Sequence, residues 1–127
     1  MHIFIWLLII DIILIIPMWI FPALVFVVKK IPPLYGFMPS AFSWWIFVIV
    51  REEYLNNERT LRHELKHFTD CRLFTPIVYF ALYGIFWLYT FIRYGNLGMM
   101  YEGSNPFETR AMKAELKKCK QRYIIIR

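Results

Sequence analysis

The chain has 127 residues, enough for one small domain and no more than a single catalytic unit. Hydrophobic residues make up 59% and aromatics 20%, above any ordinary soluble mixture, so the composition points to a membrane protein. The net charge is +6, but the basic residues are scattered and no recognition module is visible, which favours an anionic membrane surface over nucleic acid as the partner.

Residues 3–28, IFIWLLIIDIILIIPMWIFPALVFVV, hold a single charge, Asp11, in 26 positions and predict a transmembrane anchor. A cleavable signal peptide would have a basic start and small residues at a cut site, and neither is present. All 15 Lys and Arg residues follow this segment, beginning with Lys29 and Lys30. The positive-inside bias therefore predicts a single-pass protein of the inner membrane with its domain in the cytoplasm. In that compartment Cys71 and Cys119, which lack CxxC spacing, are expected as free thiols. Asp11 either reaches water near the outer end of the span or marks an association between helices.

Prolines and a glycine make KKIPPLYGFMPS, residues 29–40, an extended linker, and residues 41–127 are the expected domain. AFSWWIFVIV, 41–50, is rich in aromatic and β-branched residues and reads as a buried strand. A helix follows over about 57–74, capped by Asn56 or Asn57, with Leu61, Leu65, Phe68 and Leu73 on its apolar side and a stop at Thr75-Pro76. Residues 76–92 are apolar and aromatic, at the short limit for a span. A glycine-rich loop then leads to a helix over 106–121, capped by Ser104 or Asn105 with Pro106 in its first turn. The closing YIIIR is a short strand or an apolar tail. The fold class is α+β, a transmembrane helix followed by a small domain of short strands and helices.

The pattern HELKH at 63–67 carries the chemistry. Residues four apart share a helix face, so His63 and His67 present two imidazoles to one ion, with Glu64 beside them as general base. Zinc suits these nitrogens and needs a third protein ligand plus an open position. A metzincin would have glycine at position 70 and a ligand at 73, where this chain has Asp70 and Leu73. His2 precedes the anchor, so a downstream carboxylate is indicated: Glu102, Glu108 or Glu115.

TLRHELKH at 60–67 followed by YEGSNPFETRA at 101–111 resembles the paired motifs of minimal gluzincin-type zinc peptidases of bacteria and phages, whose second motif reads Tyr...Asn-Pro-Phe-Glu-x-x-Ala. The resemblance covers about residues 34–115. It implies a zincin-like domain, zinc held by His63, His67 and Glu108, and a peptide or protein substrate. Glu64 would then take a proton from water, and Tyr101 is the candidate donor to the oxyanion, against the plainer reading of an interfacial aromatic. Asp70 is expected either to orient a ligand imidazole or to pair with Lys66 or Arg72, and Glu102 and Glu115 to face solvent. If His63 and Glu108 share an ion, residues 76–92 pack on the ligand helices and lie in or dip into the inner leaflet without crossing it. The competing class is a small structural or assembly protein of the membrane, with a structural zinc or none.

Overall fold

The computed structural model describes residues 2–32, 39–96, 99, 103–118 and 120–127. The long apolar run at the start divides in two: helix α1 covers His2–Ile20, and strand β1 covers Ala23–Val28. This corrects the expected anchor over 3–28. Pro22 takes Phe21 away from helical geometry, and the β-branched ALVFVV beyond it finds partners on both sides in a sheet. An apolar composition window cannot separate these two fates.

The expected strand over 41–50 is a hairpin, β2 (Ala41–Trp44) and β3 (Phe47–Arg51), joined by a two-residue turn. Nothing in SWWI announces that turn, since glycine or asparagine normally supplies its positive φ. Trp45 adopts φ 55 instead, and its indole Nε1 donates to the Leu14 carbonyl of α1 at 2.7 Å. A tertiary bond thus holds a local conformation that the sequence disfavours. The last strand, β4 (Tyr123–Ile126), returns parallel to β1, which also pairs in parallel with β3. The sheet order is β2-β3-β1-β4.

One face of this sheet carries Ala23, Val25, Val48, Val50 and Ala41, all buried. Helix α2 (Glu58–Phe74) lies on it through Leu61, Leu65 and Phe68, which gain about 1.5–3 kcal/mol each from burial. Asn57 caps α2, its side chain accepting from the amides of Arg59 and Thr60. Leu73 departs from expectation: it is exposed, one turn past the end of the buried stripe.

Helix α3 (Pro76–Tyr94) starts directly after Thr75, and α4 (Pro106–Ala114) starts at the Asn105 cap, whose side chain accepts from the Phe107 amide. The expected helix over 106–121 is therefore shorter. Among the described residues beyond Ala114, Leu116 finds little cover, being 76% exposed, and Lys117, Lys118 and Lys120 repel one another. Among the described residues the fold is α+β with four helices and a mixed four-stranded sheet.

Two helices, α1 and α3, are long and apolar enough to cross a membrane by length and composition. They meet at Asp11, whose Oδ1 accepts from the Ile77 amide at 2.9 Å. Pro76 has no N–H and Thr75 gives no side-chain cap, so Asp11 supplies the negative partner that this helix start lacks. Met18 is buried in the core, while His2–Ile10 project without cover. Asp11→Ala should lower stability by about 1 kcal/mol, read as a shift of the thermal midpoint in detergent, with Asp11→Asn retaining most of it.

Candidate metal centre and its cleft

Helix α2 places His63 and His67 one turn apart on the side facing α4, with their rings 4.9 Å apart. Pro106 starts α4 so that Glu108 falls in its first turn, pointing at both histidines. The Glu108 Oε2 lies 2.9 Å from His63 Nε2, and its Oε1 lies 3.2 Å from His67 Nε2. All three residues are buried, and their ligand atoms lie within 4.8 Å of one another. Two imidazole nitrogens and one carboxylate oxygen in this spacing could hold a metal ion.

The other imidazole nitrogens are also held. His63 Nδ1 meets Glu115 Oε1 at 2.8 Å, and His67 Nδ1 meets the Tyr79 hydroxyl at 3.1 Å. Here each Nε2–H donates to Glu108; with Nδ1 held by these oxygens, loss of the Nε2 proton would leave that nitrogen's lone pair to a metal. The Tyr83 hydroxyl donates to Glu108 Oε1 and fixes the carboxylate from the opposite side. Burial alone would raise the Glu108 carboxyl, but hydrogen bonds from His63, His67 and Tyr83 outweigh it and hold the group well below the usual carboxylate range. Burial would likewise lower His63, yet the Glu108 hydrogen bond and the charges of Glu64 and Glu108 push it up to about 9.

Glu64 is buried next to this set, and burial pushes its carboxyl above the ordinary value against the opposing pull of the two histidines. The Ser43 hydroxyl of β2 hydrogen-bonds it. A cleft of about 480 Å³ opens on Glu64 and His63, walled by Pro39, Ser40 and Ala41 on one side and Glu115 on another. β2 is an edge strand. The Arg51 amide donates to the Ser40 carbonyl across the hairpin, so by antiparallel alternation the backbone groups of Ala41 and Ser43 point away from β3 toward the free edge.

Four of the five expected site residues, His63, Glu64, His67 and Glu108, come together. Tyr101, the expected oxyanion donor, lies outside the described residues, as do Glu102 and Cys119. Glu115, expected in solvent, turns back to His63 because the helix ends just before it. Asp70 does not orient a histidine. It is completely buried in a two-bond pair with Arg110 of α4, 3.0 and 2.9 Å, and a contact with Lys66 at 3.1 Å, and so ties α4 to α2. Cys71 is a free thiol, and burial pushes it up to about 12.

Tyr79 and Tyr83 were hidden among the many aromatics that a membrane surface attracts. Their signal is spacing: two tyrosines four apart on α3 share a face, and both reach His67 of α2, Tyr83 also reaching Glu108. Comparison with known families, with curated proteins and with solved structures finds no match to this chain.

Proposed function

We propose that this chain is a membrane-anchored zinc peptidase, similar to the minimal gluzincins, that cleaves peptide segments exposed at the cytoplasmic face of the inner membrane. The observation that carries the reading is the buried His63–His67–Glu108 set with Glu64 beside it in a cleft bounded by an open strand edge.

Bound zinc would supply Lewis acidity, lowering the pKa of a water toward neutrality. Glu64, buried and raised toward the working pH, takes the proton and returns it to the leaving amine. The outward backbone groups of Ala41 and Ser43 offer an extended peptide the hydrogen bonds of one more strand, which holds its main chain along the cleft. Glu115 and Tyr79 position the two imidazoles. Glu115→Gln and Tyr79→Phe should each weaken zinc binding by about 10–100-fold with the fold unchanged, measured by competition with a chelating dye.

Placement at the membrane surface rests on α1 and α3. Ser104 bonds Thr90 near the end of α3 at 2.7 Å, and Phe107 packs on Tyr83 and Phe86, so the start of α4, which carries Glu108, lies against α3. The buried polar set packed on α3 is disfavoured in hydrocarbon, which supports α1 as the anchor and α3, whose start lies beside Asp11 in the middle of α1, as a helix that enters the leaflet without crossing. One observation favours a second reading, a structural metal tying α2 to α4: of the three ligands only His63 lines the cleft. Incubating the detergent-purified chain with a mixed peptide library and sequencing new N-termini separates the two, since cleavage requires the first reading and its absence with zinc bound requires the second.

A further inference from the structure

A second cleft, of about 620 Å³, runs between α2 and α4 on the far side from Ser43 and is lined by eight basic side chains and no carboxylate. Three of these are already occupied. Arg62 pairs with Glu58, and Arg110 and Lys66 hold the buried Asp70. Lys113, Lys117, Lys118 and Lys120 are exposed, with no carboxylate within 4.0 Å among the described residues. Like charges so grouped repel one another and raise the local concentration of anions.

The position of the cleft says which anion. Arg72 lines it and stacks on the Trp19 ring at 4.5 Å, in the last turn of α1. Trp19, Ile20 and Phe21 are more than half exposed there. β4 begins at the same level, Tyr123 pairing with Ala23, and presents exposed isoleucines directly after Lys120 and Arg122. A tryptophan at the end of an apolar helix, an apolar strand and a basic cleft therefore share one level. That is the order of groups found across the boundary between acyl chains and phosphates.

We propose that the α2–α4 cleft binds the phosphate headgroups of anionic phospholipids in the leaflet where α1 ends. The inference rests on α1 being embedded in the bilayer. Headgroups bridging Arg72 and the lysines would fix the tilt of the domain, keeping the Glu64 cleft at a constant height above the membrane.

The test uses the full chain in lipid nanodiscs, either pure phosphatidylcholine or one-third phosphatidylglycerol by preparation, with amine labelling of individual lysines read by mass spectrometry. Labelling of Lys113, Lys117 and Lys120 should fall by about five-fold in the anionic discs, and salt at about 0.5 M should restore it. In the Lys113→Gln/Lys117→Gln variant, both positions being exposed, Lys120 should label equally in the two lipids. Equal labelling of the unaltered chain in both discs overturns the inference while leaving the embedding of α1 intact. So does protection produced by inorganic phosphate or an RNA oligonucleotide in pure phosphatidylcholine with no added effect of anionic lipid. A chain that leaves the phosphatidylcholine discs altogether overturns the embedding of α1 and the inference with it.

Discussion

Glu64→Gln is expected to abolish peptide cleavage, by about 10²–10⁴-fold, with zinc content and thermal midpoint unchanged. The substitution keeps the shape of a buried side chain and its bond to Ser43, and removes only the capacity to accept a proton. A buried carboxylate with a raised pKa is costly to keep, so removing its charge should not destabilise the fold. New N-termini from a mixed peptide library give the readout. Cleavage that survives in the variant would remove Glu64 from the mechanism. A loss of zinc together with activity would make Glu64 a structural element.

Glu108→Ala is expected to reduce zinc affinity by more than about 100-fold, beyond the range that outer partners of a ligand typically cost. It also leaves Tyr83 and both imidazoles facing each other without the carboxylate that joins them. That network links α2, α3 and α4, so a stability loss of about 3 kcal/mol should accompany the loss of metal. Glu108→Gln separates the two effects, because it restores volume and some hydrogen bonding without the charge. Tight zinc retained in Glu108→Ala would remove Glu108 from the ligand set.

The clustering of His63, His67 and Glu108 was legible because its spacing is local: two histidines four apart on α2, and a Pro-Phe-Glu start to α4 that a cap announces. What remained hidden depends on contacts between distant segments. Trp45 turns a hairpin against its own propensity because α1 offers a carbonyl, and Val25 is a strand residue because β3 and β4 accept it on either side. Asp11 reads as a burden in an apolar helix until the start of α3 is seen to need an acceptor. Glu115 left its expected place in solvent for the same reason, whereas Asp70 keeps the expected pairing with Lys66 but is buried and shared with Arg110. Where α4 ends decides which acid reaches His63, and no periodicity marks that end, because the lysines that follow stop it by repulsion and not by a proline or glycine.

Zinc per chain is the quantity to measure, by elemental analysis of detergent-purified protein dialysed against trace zinc, for the unaltered sequence and for His63→Ala. One zinc per chain in the first and none in the second is the expected result. Protein that holds no zinc under these conditions, or holds as much after His63→Ala, would contradict a metal centre at His63, His67 and Glu108.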